Sequence, residues 1–194
     1  MSPPTSTGDA SGPTDAADTS APEETSPKPG PKPGNKSHGR PAGKPPAKRS
    51  PANSARRLSR EFALQGLYRW LIAGGDAAAA EADVRELDDF DKCDRTHFDA
   101  LLHGSIEQAA AIDAVLVRHV DRKTSLLSPV EHAVLMIGVY ELTHCLEIPY
   151  RVAINEGVEL AKSFGGTDGH KYVNGVLDKC AADLRPNEAR PARR

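Results

Sequence analysis

Large apolar side chains recur along this chain at three- and four-residue spacings, the period of helices that each turn one face to a core. From about Ser54 to Ile72, the residues Leu58, Phe62, Leu64, Leu67 and Leu71 supply the first such face. Gly74-Gly75 ends that helix, and Asp76 caps a short Ala-rich second one. Phe98, Leu101, Leu102, Ser105, Ala109, Ile112 and Leu116 predict a third helical region over 94–120, with a kink near Ala110. The next start has three signals at once: the Ser128 cap, Pro129 at the first helical position, and Glu131 three residues after the cap. That helix reaches about Cys145 and breaks at Glu147-Ile148-Pro149. Val152, Val158, Leu160, Ala161 and Phe164 then predict a buried face, closed by Gly165-Gly166 in the left-handed cap conformation. Thr167 or Asp168 caps a last helix with the stripe Val173, Val176, Leu177, Cys180 and Leu184, and Pro186 stops it. No segment alternates with period two between turn signals, so the predicted fold is all-α, with six to seven helices.

Composition divides the chain. Residues 1–53 hold 12 of the 16 prolines and no Val, Ile, Leu, Phe, Tyr or Trp. Such a segment cannot bury enough apolar surface to offset the entropy of ordering, which predicts a disordered Pro/Gly/Lys-rich tail. Residues 54–186 form the helical domain, and residues 187–194 a short basic C-terminal tail. The net charge of −2 conceals an asymmetry: residues 26–53 carry seven Lys/Arg and no acids, whereas residues 61–184 carry 11 Lys/Arg against 21 Asp/Glu. A basic arm on an acidic body suits an anionic partner at the arm, either as a loose electrostatic contact for nucleic acid or as a solubilising linker. Cys93, Cys145 and Cys180 fall in no metal spacing, and packing in a reducing compartment accounts for them. No apolar run approaches the roughly 18 residues of a membrane span, and no secretory signal opens the chain, so a cytoplasmic protein with no membrane contact is expected. The acidic stretch 86–94 is expected to be a solvated loop. Oligomeric state stays open, because apolar helical faces serve cores and homodimer seams alike.

Two places carry candidate chemistry. At the turn 165–168 a helix N-terminus offers unpaired amides and the positive end of a dipole, Lys171 adds a cation and Tyr172 a ring on which a base could stack. On the pattern alone, an ordinary helix–turn–helix cap accounts for the same residues. The second place is the start of the first helix, where Arg56, Arg57 and Arg60 oppose the dipole by about 0.3–1 kcal/mol each. Three arginines where acids would be more stabilising point to phosphate, which the guanidinium fork grips well. Catalysis finds little support. The turn lacks the G-x-x-x-x-G-K-[ST] spacing and a preceding strand, and Asp168 with His170 lacks a nucleophile in a signature context. Glu141-x-x-His144 has the form of half a di-metal carboxylate site, without the second pair and the two further glutamates. No catalytic residue, metal or cofactor is expected.

The runs 55–70 (ARRLSREFALQGLYRW), 130–142 (VEHAVLMIGVYEL) and above all 148–179 (IPYRVAINEGVELAKSFGGTDGHKYVNGVLDK) resemble the NusB family of bacterial transcription antitermination factors. The resemblance covers about residues 54–186 and implies two small helical bundles without catalytic activity. It further implies binding of boxA-type single-stranded RNA in nascent ribosomal transcripts, jointly with NusE, a ribosomal small-subunit protein. That assembly would then join RNA polymerase and carry it past terminators. Matched to the family pattern, Arg56, Arg57, Arg60, Tyr68, Asp168, Lys171 and Tyr172 are the implied RNA-binding positions, and Glu131 with Tyr68 the implied partner-binding ones. The alternatives are a helical protein-interaction scaffold without RNA binding, or the RNA-binding module of a ribosomal RNA methyltransferase-like protein. The central expectation is that the arginines of the first helix and the Lys171–Tyr172 turn share one surface.

Overall fold

Ser50 and Pro51 open the first helix. The structure, a computed structural model, describes residues 50–189; the predicted disorder of residues 1–49 and the last five residues of the predicted C-terminal tail lie outside the described residues. Helix α1 (Pro51–Ala73) starts three residues ahead of expectation, because the Ser50 hydroxyl accepts from the Asn53 amide (3.4 Å) and Pro51 fits the first turn. It ends as the glycines predict, with Gly74 and Gly75 at φ of +70° and +94°. Helix α2 (Ala77–Arg85) is capped by the Asp76 carboxylate, 2.8 Å from the Ala79 amide.

The acidic stretch is not simply a solvated loop. A 3-10 turn at Phe90–Lys92 drives the Phe90 ring inward, edge-on to Phe62 and Phe98 with ring centroids 5.3 and 5.0 Å away. Its aspartates stay outside, and one aromatic among five acids left no periodic signal to read. The third helical region divides into α3 (Arg95–Glu107) and α4 (Ala109–Leu116), with the break at Gln108. Helix α5 (Pro129–His144) is capped by Ser128, whose hydroxyl accepts from the Glu131 amide at 3.2 Å. Helices α6 (Tyr150–Phe164) and α7 (Gly169–Leu184) follow. Pro186 does not merely stop α7; it opens a four-residue helix, α8 (Pro186–Ala189). Among the described residues there are eight α-helices and no strand.

Helix α5 is the central element. Ala133, Val134, Leu135, Met136, Ile137, Val139 and Leu142 are each at most 1% exposed, so the helix is apolar nearly all round, as a helix packed on every side must be. Helices α1, α2 and α3 form one group and α6 and α7 another. Helices α1 and α3 lie against α5 on the first side, and α4, α6 and α7 lie against it on the other. One contiguous core joins the two groups. Two glycines let helices approach closely: a Cβ on Gly138 would lie 2.6 Å from a Leu177 methyl, and one on Gly157 would lie 2.9 Å from the same side chain.

The C-terminal end of α5 is satisfied from outside. Arg185, only 4% exposed, donates to the carbonyls of Glu141 (2.8 Å), Leu142 (2.7 Å), Cys145 (2.9 Å) and Ile148 (2.6 Å). The Glu141 and Cys145 carbonyls also accept from the backbone amides of Cys145 (3.1 Å) and Ile148 (3.0 Å), so one cation supplements the bonding of the helix end and of the turn that follows it. The three cysteines are free and buried, and burial pushes the Cys145 and Cys180 thiols up to about 11.

Candidate nucleic-acid interface

The α6–α7 turn is built differently from its sequence reading. Gly165 has extended backbone (φ −93°, ψ 179°), and neither it nor Gly166 enters the left-handed region. Glycine is needed at 165 for another reason: a Cβ there would sit 2.6 Å from the Ala161 carbonyl oxygen, which the Gly165 amide hydrogen-bonds at 2.9 Å. Val152 and Phe164 belong to no buried face; they are 43% and 42% exposed, because the inward stripe of α6 is Ala153, Ile154, Gly157, Leu160 and Ala161.

Asp168 holds the N-cap position of α7, but its carboxylate makes no cap bond. It pairs instead with Lys171 (Nζ to Oδ1, 2.8 Å), both side chains well exposed. The Glu131 carboxylate meets the buried Gly169, where an added Cβ would be 3.0 Å from Oε1. The predicted anion site at this helix start therefore already faces one of the chain's own acids, a placement the helix dipole favours.

Tyr172 lies half-buried beside this start, one part of its ring on the core. Its hydroxyl donates to Asp121 Oδ1 (3.1 Å), and the Arg122 guanidinium lies over the ring, 5.3 Å from its centre. Arg122 also grips Asp121 with both arms of its fork, Nε to Oδ1 at 2.9 Å and Nη2 to Oδ2 at 3.1 Å. These bonds, Arg122 first and Tyr172 after it, hold the Asp121 carboxyl at about 2. Burial and the Asp121 bond raise the Tyr172 phenol. Sequence reading missed Asp121 and Arg122, which sit in the connector 121–127 with no helical period to mark them.

Tyr68 belongs to the same end of the molecule. It is 39% exposed and lines an apolar groove of about 340 Å³ with Leu64, Gln65, Arg69, Val130 and Phe164. Val130 lies in the first turn of α5, next to Glu131, and Phe164 is the last residue of α6, so the groove lies at the end of the helices where the α6–α7 turn begins.

The arginines are elsewhere. Arg56 (Nε 3.6 Å from Asp94 Oδ2) and Arg57 (Nε 2.9 Å from Glu61 Oε1) are partly exposed. Arg56 borders a polar groove that Val152 also lines, at the opening turn of α6. From Val152 to Phe164 is twelve residues, about 18 Å of helix. The arginines thus lie by the opening turn of α6 and the Lys171–Tyr172 cluster past its closing turn, and they do not form the single patch expected. The expectation for Arg60 is corrected outright. Arg60 is 3% exposed, with Nε and Nη2 at 2.9 and 2.8 Å from Glu141 Oε1 and Nη1 at 3.8 Å from Glu156. Four residues beyond Arg56, its side chain has turned from the surface into the α1–α5 seam, where it neutralises a buried carboxylate that His97 also approaches (3.0 Å). Glu141 is likewise spoken for, and His144 bonds Gln108 on the surface.

Comparison with known proteins places this geometry. The NusB family model matches residues 57–182. The transcription antitermination protein NusB of Ralstonia nicotianae is 54% identical over 140 residues, covering 72% of this chain and 90% of that protein. The NusB of Bordetella pertussis is 53% identical over 150 residues, covering 75% and 97%. Among solved structures, T. maritima NusB is similar with a TM-score of 0.61 and 28% identity, over 69% of this chain and 95% of that one. A structure of the antitermination factors NusB and NusE in complex with dsRNA is similar in fold, with a TM-score of 0.60 and 24% identity over 67% and 98% of the two chains.

Proposed function

We propose, from the premise that this chain belongs to the NusB family of transcription antitermination proteins, that it binds boxA-type RNA of nascent ribosomal transcripts as a single strand, together with NusE. The family is one of antitermination factors and not of enzymes. Its helical body, from the first turn of α1 to Pro186, carries the RNA function, and none of its described helices is long and apolar enough to cross a membrane. The protein works in the cytoplasm, where it joins transcribing RNA polymerase.

The observation that carries the RNA reading is the half-buried ring of Tyr172, anchored by its hydroxyl and flanked by Lys171 and Arg122. Unpaired bases stack on such rings while cations hold the phosphates. The strand runs from this end along the α1–α6 side toward Arg56 and Arg57, whose carboxylate partners are exposed enough to yield to phosphate. Tyr68, Glu131 and the apolar groove beside them suit a protein partner, and the acidic body suits a basic one such as NusE.

The test is fluorescence anisotropy of a labelled boxA-type single strand, with its duplex as a second probe, in the presence and absence of NusE. Tyr172→Leu keeps an apolar packing group and removes the stacking ring, and is expected to weaken single-strand binding by about 1–3 kcal/mol. Tyr68→Ala is expected to reduce the gain given by NusE more than binding of RNA alone. Unchanged single-strand affinity in Tyr172→Leu would refute the assignment.

A further inference from the structure

Arg122 and Asp121 are neighbours in sequence, yet they make a bidentate pair, and the same carboxylate also receives the Tyr172 hydroxyl. One acid thus fixes both the cation over the ring and the ring itself. The guanidinium fork that fits a carboxylate through two parallel bonds fits a phosphate in the same way. We propose that Arg122 is a further RNA contact and that Asp121 is its latch. In the free protein Asp121 occupies the guanidinium as a phosphate would; RNA displaces it, so that Arg122 takes the phosphate and a base meets the Tyr172 ring. This rests on the reading that the Tyr172 end of the molecule meets RNA.

Three features make the pair a latch and not a fixed strut. The side chains of Asp121 and Arg122 are 63% and 49% exposed, so water and competing anions reach both. Exposed pairs of this kind are weak, and a polyanion that also contacts Lys171 displaces one easily. The guanidinium covers the ring on which stacking must occur, so a base gains the ring fully only when Arg122 moves. The device also disfavours an isolated base or a neutral ligand, because only a phosphate replaces the bonds that Asp121 gives up.

A double-mutant cycle on the full chain decides it, read by anisotropy with the labelled boxA-type single strand at fixed low salt. Asp121→Asn removes the competitor's charge at nearly constant shape and is expected to tighten binding about two- to five-fold, the range that an exposed ion pair allows. Arg122→Ala is expected to weaken it, and Asp121→Asn is expected to add nothing in the Arg122→Ala background. The inference is overturned if Asp121→Asn tightens binding by the same factor with and without Arg122, since that is only the removal of a repelling charge. It is equally overturned if either single substitution leaves affinity unchanged. Tyr172→Leu measured alongside separates the two levels. Loss of binding there, with no effect at 121 or 122, sinks the latch alone, whereas unchanged binding in Tyr172→Leu sinks the RNA site itself. The side chains of Asp121 and Arg122 pack on no core, so a thermal melt matching the parent is expected for their variants.

Discussion

Replacing Glu141 with leucine is the sharpest test of how the first helix is held. Glu141 is 1% exposed and Arg60 3%, and two guanidinium nitrogens approach one carboxylate oxygen at 2.8–2.9 Å. Leucine matches the volume but leaves the Arg60 cation in the α1–α5 seam with only Glu156, at 3.8 Å, to answer it. Removing one partner of a buried pair costs about 3–5 kcal/mol, because the remaining charge keeps its desolvation penalty and loses its compensation. Against the roughly 5–15 kcal/mol of a typical domain, that is a large share of total stability. In urea, with a slope of about 1–3 kcal/mol/M, the midpoint should fall by at least about 1 M.

The second arm of the experiment is the pair Arg60→Met with Glu141→Leu. An apolar pair of similar volume is often as stable as the ion pair it replaces. The double variant should therefore be more stable than Glu141→Leu alone, with incomplete recovery because Glu156 and His97 also face the site. A midpoint shift below about 0.5 M for Glu141→Leu at unchanged slope would refute the reasoning. RNA binding gives an independent check. Arg57→Ala should lower the salt slope of RNA affinity by about one, whereas the folded double variant should keep the parent's slope, since Arg60 offers no charge at the surface.

Two further outcomes are expected. Arg185→Ala removes four hydrogen bonds around the end of α5, leaves the Leu142 and Ile148 carbonyls without their guanidinium donor, and should destabilise by about 2 kcal/mol or more, read by urea unfolding, with faster hydrogen exchange at the 145–148 turn. At pH 8 the Cys145 and Cys180 thiols, raised to about 11 by burial, should resist Ellman's reagent in the native protein and react on unfolding, as a thiol whose folded pKa is raised stays protonated there.

The sequence by itself determined the helices and their order. Ser128-Pro129 with Glu131, Asp76, and the Gly74-Gly75 stop are local signals, and the structure keeps each of them because a cap is satisfied within four residues. The Tyr172 and Tyr68 rings, read as surface aromatics, both keep part of their surface in solvent, since each lies off the fully buried stripe of its helix. What failed were inferences that needed a neighbour from elsewhere in the chain. Arg60 looks like Arg56 in sequence, yet it faces a carboxylate 81 residues away. Nothing in the sequence marks Arg185, yet it bonds the end of another helix some forty residues earlier. Phe90 among aspartates, and Asp121-Arg122 in a connector, acquire their roles only when Phe98 and Tyr172 are brought beside them. Helix period and caps are short-range and are written in the chain. Charge pairing across a seam depends on which helices pack together, so only the tertiary structure decided that one arginine would be a strut, another a cap, and a third the cover of a tyrosine ring.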